Sequence, residues 1–332
     1  MTVEIRTQAV KPVRHTFAHI ARRFGDKPAS RYQEATYDLQ SEVNHHYKPL
    51  WDAERDLYDQ RRTALVMKDW YALKDPRQYY YGSYTIARAK QQDATDRQMA
   101  FAEKRDLLRQ LPAEAQRLVQ LALVPLRHCE WGANMTMGQV SAYGWGTALT
   151  QATSMAMMDR LGLAQHLSRI GLLLDGNTGD SLHVAKTAWL ENPAWQGLRR
   201  ELEALFVTPD CIEVFVAQAL VADGLLYPLM FQQFDAWMAH RFGPALSTVL
   251  DHPLNWFDEN VKWVDAVVKT MVAESPENKA LVQGWVDHWR AAFRAALQQL
   301  AEAAMGEGDG EAALATVDAA FGARVAKLGL TG

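Results

Sequence analysis

The most apolar stretch of the chain runs from Cys211 to Phe231, and three polar side chains, Glu213, Gln218 and Asp223, interrupt it. Carboxylates are costly in lipid. The stretch is long enough to cross a bilayer, yet its composition predicts a buried core helix within about 210–241, starting at Pro209-Asp210.

The rest of the chain supplies helices to cover it. Residues 85–110 are dense in Ala, Arg, Gln, Glu and Lys, all good helix formers. From Leu111 to about Ser141, apolar residues recur at Leu118, Leu121, Leu123, Leu126 and Cys129, close to a helical period. Shorter helices are expected at 145–162, 164–174 and 180–206, punctuated by Gly162, Asp175-Gly176 and Asn192-Pro193. Pro244 restarts a helix to about Glu274. Ser275-Pro276-Glu277 has a cap followed by proline at the first helical position, opening a helix to Met305. Gly306 to Gly310 reads as a flexible break before a last helix over 311–328. No run of alternating β-branched residues and no fixed repeat is present. The expected fold class is all-α, a bundle of long antiparallel helices. Its organisation is an irregular N-terminal arm over 1–45, a helical domain over 46–305, and a break plus terminal helix over 306–332.

Composition removes several function classes. The net charge of −4 offers no basic excess for a phosphate backbone, so no nucleic-acid partner is expected. Cys129 and Cys211 are far apart and form no CxxC pair. With no apolar segment in Met1–Arg14, the reading is a cytoplasmic protein without a signal peptide. No GxGxxG, Walker A or HExxH motif occurs. The glycines of Gly171–Gly179 follow no strand and read as a helix cap and turn. Eleven each of Trp, Tyr and Phe are many for a helical protein, and such residues favour interfaces as well as cores.

A long-helix bundle raises the question of a di-iron carboxylate centre. Such a centre takes a Glu from each of two helices and a Glu-x-x-His pair from each of two others. The i, i+3 spacing puts both ligands on one helix face. Glu42-Val-Asn-His45 is the one match, and it stands alone before the long helices. His15 and His19 share a spacing of four in an Arg-rich segment, a weak metal site. In the long helices, Glu130 has Ala133 three residues on, Glu259 has Lys262, and Asp223 is a lone acid; Glu103 lies in the helix before them. The carboxylates are present and both histidines are missing, so no metal is expected in this chain.

Several long blocks occur in fixed order: RHTFAHIARRFGDKPASRYQEATYDLQ (14–40), DPRQYYYGSY (75–84), LVPLRHCEWGANM (123–135), MDRLG (158–162), LSRIGLLLDGNTGD (167–180), WQGLRRELE (195–203) and ADGLLYPLMFQQFD (222–235). With these blocks the chain resembles the β subunits of bacterial multicomponent phenol hydroxylases. The resemblance implies a ferritin-like fold that has lost its iron ligands. It implies an (αβγ)2 assembly in which α carries the di-iron centre and the substrate pocket. A reductase with FAD and a 2Fe-2S cluster and a small regulatory protein complete the system. The complex would insert one atom of O2 into an aromatic ring with electrons from NADH, while this chain holds no cofactor and no catalytic residue.

Set against the α-type ligand pattern, Glu130, Ala133, Asp223, Glu259 and Lys262 fall at vestigial di-iron positions. Lys262 is expected to face inward and pair with Glu259 or Asp223. The arm and the aromatic block are expected to bury against α through His15, His19, Arg22, Arg23, Arg31, Tyr32, Tyr79, Tyr80, Tyr81 and Tyr84. Three alternatives stay open: the β subunit of a related toluene or alkene monooxygenase, a catalytic di-iron oxidase with an unusual ligand set, and a stand-alone helical interaction protein.

Overall fold

A computed structural model describes residues 16–42, 50 and 52–332. Twelve helices are named here, and no strand occurs among the described residues. The apolar stretch sits at the centre as α9, Cys211–Phe242, one helix whose most apolar window is 94% buried inside the protein. Asp210 caps it, its carboxylate accepting from the backbone N–H of Ile212 and Glu213. Two π-helical segments, Val216–Ala222 and Leu229–Gln233, flank the turn that carries Asp223 and Tyr227. Such wide turns rotate the helix face and recur at functional positions. Pro228 lies inside this helix without breaking it, directly before the second π segment.

Around α9 lie α3 (Tyr81–Lys104), α4 (Ala113–Leu118), α5 (Leu126–Tyr143), α6 (Thr147–Asp175), α7 (Asp180–Glu191), α8 (Pro193–Leu205), α10 (Asp251–Glu274), α11 (Pro276–Met305) and α12 (Glu307–Lys327). Ser275 caps α11 through the Asn278 N–H at 3.1 Å, as the Ser-Pro-Glu signal predicts. Gly176 ends α6 in the left-handed conformation, φ 68°, as a cap and turn should. Between α3 and α4 the chain leaves the helix earlier than predicted, at Arg105, and Asp106 takes φ 54°.

Two glycines expected to break helices do not. Gly162 lies inside the single helix α6, because Leu163, His166, Leu167, Ile170 and Gly171 beyond it are all buried, which outweighs about 1 kcal/mol of glycine cost. Of the Gly306–Gly310 segment, only Gly306 leaves the helix, at φ 89°. Gly310 is helical and packs so tightly on α11 that a Cβ there would come within 2.4 Å of the Ala301 carbonyl oxygen. The expected flexible break is therefore a one-residue corner, and Leu314, Val317, Phe321 and Val325 of α12 join the main core.

The described part of the N-terminal arm folds on this chain's own bundle. Its helices α1 (Ala18–Phe24) and α2 (Arg31–Thr36) build a small second core of Ile20, Tyr32, Tyr37, Tyr71 and Ala148. Arg23 clamps it, pairing with Asp38 at 2.8 Å and Asp69 at 2.6 Å.

Candidate functional site

Four helices meet at the middle of the bundle, and each sends a side chain inward: Glu130 from α5, Arg160 from α6, Asp223 and Tyr227 from α9, and Trp256 from α10. All five are at most 2% exposed. Arg160 is the hub. One Nη sits 3.1 Å from Glu130 Oε2 and 3.2 Å from the Tyr227 hydroxyl. The other is hydrogen-bonded to Asp223 Oδ2. Tyr227 donates to Glu130 Oε1 at 2.7 Å, and Gln218 donates to Asp223 Oδ1 at 3.0 Å. Thr136 in turn bonds Gln218 at 3.3 Å. Arg160 Nε has no hydrogen-bond partner, but the guanidinium carbon lies 4.4 Å from the centre of the Trp256 ring, close enough for a cation–π contact.

Burial works against the Arg160 charge, yet Asp223 and Glu130 outweigh it and hold the pKa above its usual value. Burial is also the largest influence on Glu130 and raises it, against the pull of Arg160. Tyr227 is pushed well up by burial and by the neighbouring Glu130, so its proton stays in the Glu130 hydrogen bond. The cluster carries one cation and two carboxylate side chains, all cut off from solvent.

This donor set does not fit a pair of metal ions. Such a centre needs bridging carboxylates and imidazoles on facing helices. Here two carboxylates face a guanidinium that occupies the space between them, and the cluster contains no imidazole. Among the described residues, no group of three or more His, Cys, Asp or Glu side chains is placed to hold a metal.

The expected vestigial residues divide into three groups. Glu130 and Asp223 do come together, and Ala133 lies buried one turn along α5. Glu259 points elsewhere, into a second ion cluster that joins α3, α6 and α10. Arg88 holds Asp159 at 2.7 Å and Glu259 at 3.1 Å, and Arg77 reaches Glu259 at 3.4 Å. Tyr84 and Trp256 donate to Asp159 at 2.7 and 2.9 Å. Burial would raise Glu259, but Arg88 and Arg77 outweigh it and hold the carboxylate below its usual range. Lys262 does not pair with either acid as expected: it lies on the exposed face of α10, because Trp263 and Val264 turn that helix's buried side away from it. Arg160 supplies the positive charge that Lys262 was expected to bring.

The expected interface residues are largely engaged within the chain. Tyr32 is buried and accepts from the Asp75 N–H at 3.0 Å. Tyr79 lies under Arg77 and Arg88, Tyr84 is buried, and Tyr80 is half-buried. Arg23 serves the clamp described above, and the Nε2 of half-buried His19 is enclosed without a partner. Arg22, Arg31 and Tyr81 are exposed, whereas His15, like His45 of the lone Glu-x-x-His match, lies outside the described residues.

Sequence reasoning missed Arg160 and Tyr227. A signal for Arg160 existed: Leu149, Ala152, Ala156, Leu163, Leu167 and Ile170 mark the buried face of α6, and Arg160 falls in that row.

The family profile described as methane/phenol/alkene hydroxylase matches residues 51–275, which include every member of the buried cluster. The oxygenase component DmpL of phenol 2-monooxygenase from Pseudomonas sp. (strain CF600) is 48% identical over 99% of this chain and 98% of its own length. The subunit beta of the toluene-4-monooxygenase hydroxylase from Ectopseudomonas mendocina is 24% identical, covering 85% of this chain and 88% of its own. A crystal structure of phenol hydroxylase from Pseudomonas sp. OX1 contains a chain that superposes with a TM-score of 0.93 at 42% identity, with 99% of both chains covered.

Proposed function

The chain belongs to the methane/phenol/alkene hydroxylase family, and on that premise we propose that it is the non-catalytic β subunit of a cytoplasmic phenol hydroxylase. It is an oxygenase component of a phenol 2-monooxygenase system, on the strength of 48% identity over nearly its whole length. The phenol reading is favoured over a toluene one by that identity against 24% for the toluene relative. Two free, buried cysteines accord with a reducing compartment.

The observation that carries the non-catalytic role is the Arg160 guanidinium lodged between Glu130 and Asp223. A buried ion triad of this kind ties three helices, α5, α6 and α9, together while its charges satisfy one another. The guanidinium fills the place between the carboxylates, and the members of the triad are at most 2% exposed. In this reading a partner α subunit binds the two irons and the phenol, a γ subunit completes an (αβγ)2 hydroxylase, and electrons from NADH arrive through a separate reductase with FAD and a 2Fe-2S cluster. This chain contributes a rigid frame.

The test is metal analysis, chain by chain, of a hydroxylase reconstituted from separately purified subunits. Iron is expected to follow the α subunit, with less than about a tenth of an equivalent on this chain. Two irons on this chain would instead support a catalytic oxidase with an unusual ligand set.

A further inference from the structure

Two histidines in contact close one end of the bundle. His166 on α6 is 6% exposed, and the half-buried His252, in the first turn of α10, lies against it with ring centres 5.1 Å apart. The connection from α9 to α10, residues 243–250, tucks Leu246, Val249 and Leu250 into the core. His166 pins that connection: its Nε2 lies 2.7 Å from the Val249 carbonyl oxygen. A carbonyl only accepts, so Nε2 carries the ring proton and Nδ1 the lone pair. A second proton would go to Nδ1 and make the ring a buried cation.

The charged groups around the pair are already committed. On α6, Asp159 accepts from Tyr84, Arg88 and Trp256. Arg169, one turn beyond His166, is itself positive and pairs with Asp96 of α3 at 2.7 Å. Arg88 of α3 adds a second positive charge near His252. On α10, the exposed Asp251 accepts from Gln98 at 2.9 Å, and Glu259 is held by Arg88 and Arg77. From α9, Asp235 accepts from the Ser247 hydroxyl at 2.8 Å. Burial lowers the His166 pKa from its usual 6.5 to about 4, with His252 and Arg169 adding to the effect. Burial also lowers His252, against the pull of Asp159.

We propose that His166 and His252 form an acid-operated latch: while neutral they hold the 243–250 connection and the first turn of α10 on α6, and protonation releases that end of the bundle. The sign follows from linkage. The unfolded chain takes up the His166 proton near pH 6.5 and the folded chain only near 4. The stability that the neutral ring contributes is fully present above 6.5 and is lost as pH falls toward 4. Asp235 works in the opposite sense: burial raises its pKa, so its protonation favours the folded chain and does not produce this loss.

Hydrogen–deuterium exchange of the full chain, corrected for the intrinsic pH dependence of exchange, tests the latch. Between about pH 7.5 and about pH 5, protection of residues 246–255 should fall at least about tenfold, while that of α11 stays within about twofold. In His166→Gln/His252→Gln, a glutamine amide can still donate to the Val249 carbonyl but does not titrate, and the fall should shrink below about twofold. His128→Gln removes another histidine of lowered pKa, one stacked on Trp189, and should leave the wild-type fall unchanged. An equal fall in the double variant, or loss of protection spread evenly through the chain, overturns the proposal. Should the double variant fail to fold, NMR of the wild-type imidazoles decides. A neutral His166 with its proton on Nε2 at about pH 5.5 supports the latch, and a charged His166 at that pH overturns it.

Discussion

Arg160 satisfies two buried acids at once, so its replacement is more damaging than its own interactions suggest. Arg160→Met leaves Glu130 and Asp223 unpaired at 2% and 1% exposure, a change that costs about 3–5 kcal/mol in comparable buried pairs. Lysine in its place brings charge but not a planar fork able to reach both carboxylates, so Arg160→Lys should recover only part of that loss. Removing all three charges, as in Glu130→Gln/Arg160→Met/Asp223→Asn, should be milder than the single Met variant, because no orphaned ion remains. Urea midpoints followed by tryptophan fluorescence rank the three; a single variant as stable as wild type would show that the triad contributes no net stability. The acids of this cluster were legible in the sequence, since a carboxylate in an apolar helix demands a partner. The partner was not, because spacing along one helix says nothing about which neighbouring helix supplies it. Lys262 was chosen for being three residues from Glu259, whereas Arg160 reaches Glu130 from 30 residues away.

Among the elements, proline and glycine signals carried different amounts of information. Where a residue acts on the backbone within a few positions of itself, as in the Ser275-Pro276 cap or the left-handed Gly176, local chemistry determines the outcome and the sequence reading holds. Where the outcome depends on burial by other helices it does not, and Gly162 and Gly310 are the cases. They should now respond in opposite directions. Gly162 is exposed inside α6 with nothing within 4 Å of an added Cβ, so Gly162→Ala should stabilise by up to about 1 kcal/mol. Gly310 meets the backbone of Ala301 and Glu302, which cannot give way as a side chain can. Gly310→Ala should therefore cost about 1–3 kcal/mol by forcing α12 off α11. Thermal melts read both, and a stabilising Gly310→Ala would mean that the α11–α12 contact is loose.

For the whole molecule, the buried triad and the Arg88–Asp159–Glu259 cluster tie α3, α5, α6, α9 and α10 into one frame. Adjacent residues on α6, Asp159 and Arg160, serve one cluster each, and Trp256 touches both. A frame can affect a reaction in another subunit only through how much correctly built complex exists and how well it is shaped. If the chemistry resides next door, Arg160→Met should lower the amount of assembled hydroxylase while leaving phenol turnover per assembled complex within about twofold of wild type. An enzyme that used Arg160, Glu130 or Asp223 chemically would lose orders of magnitude per complex, since removing a transition-state contact acts on kcat itself. Measuring hydroxylation against iron content, after size-exclusion chromatography has isolated the full assembly, separates the two. A hundredfold fall in turnover per complex would place these buried side chains in the reaction after all.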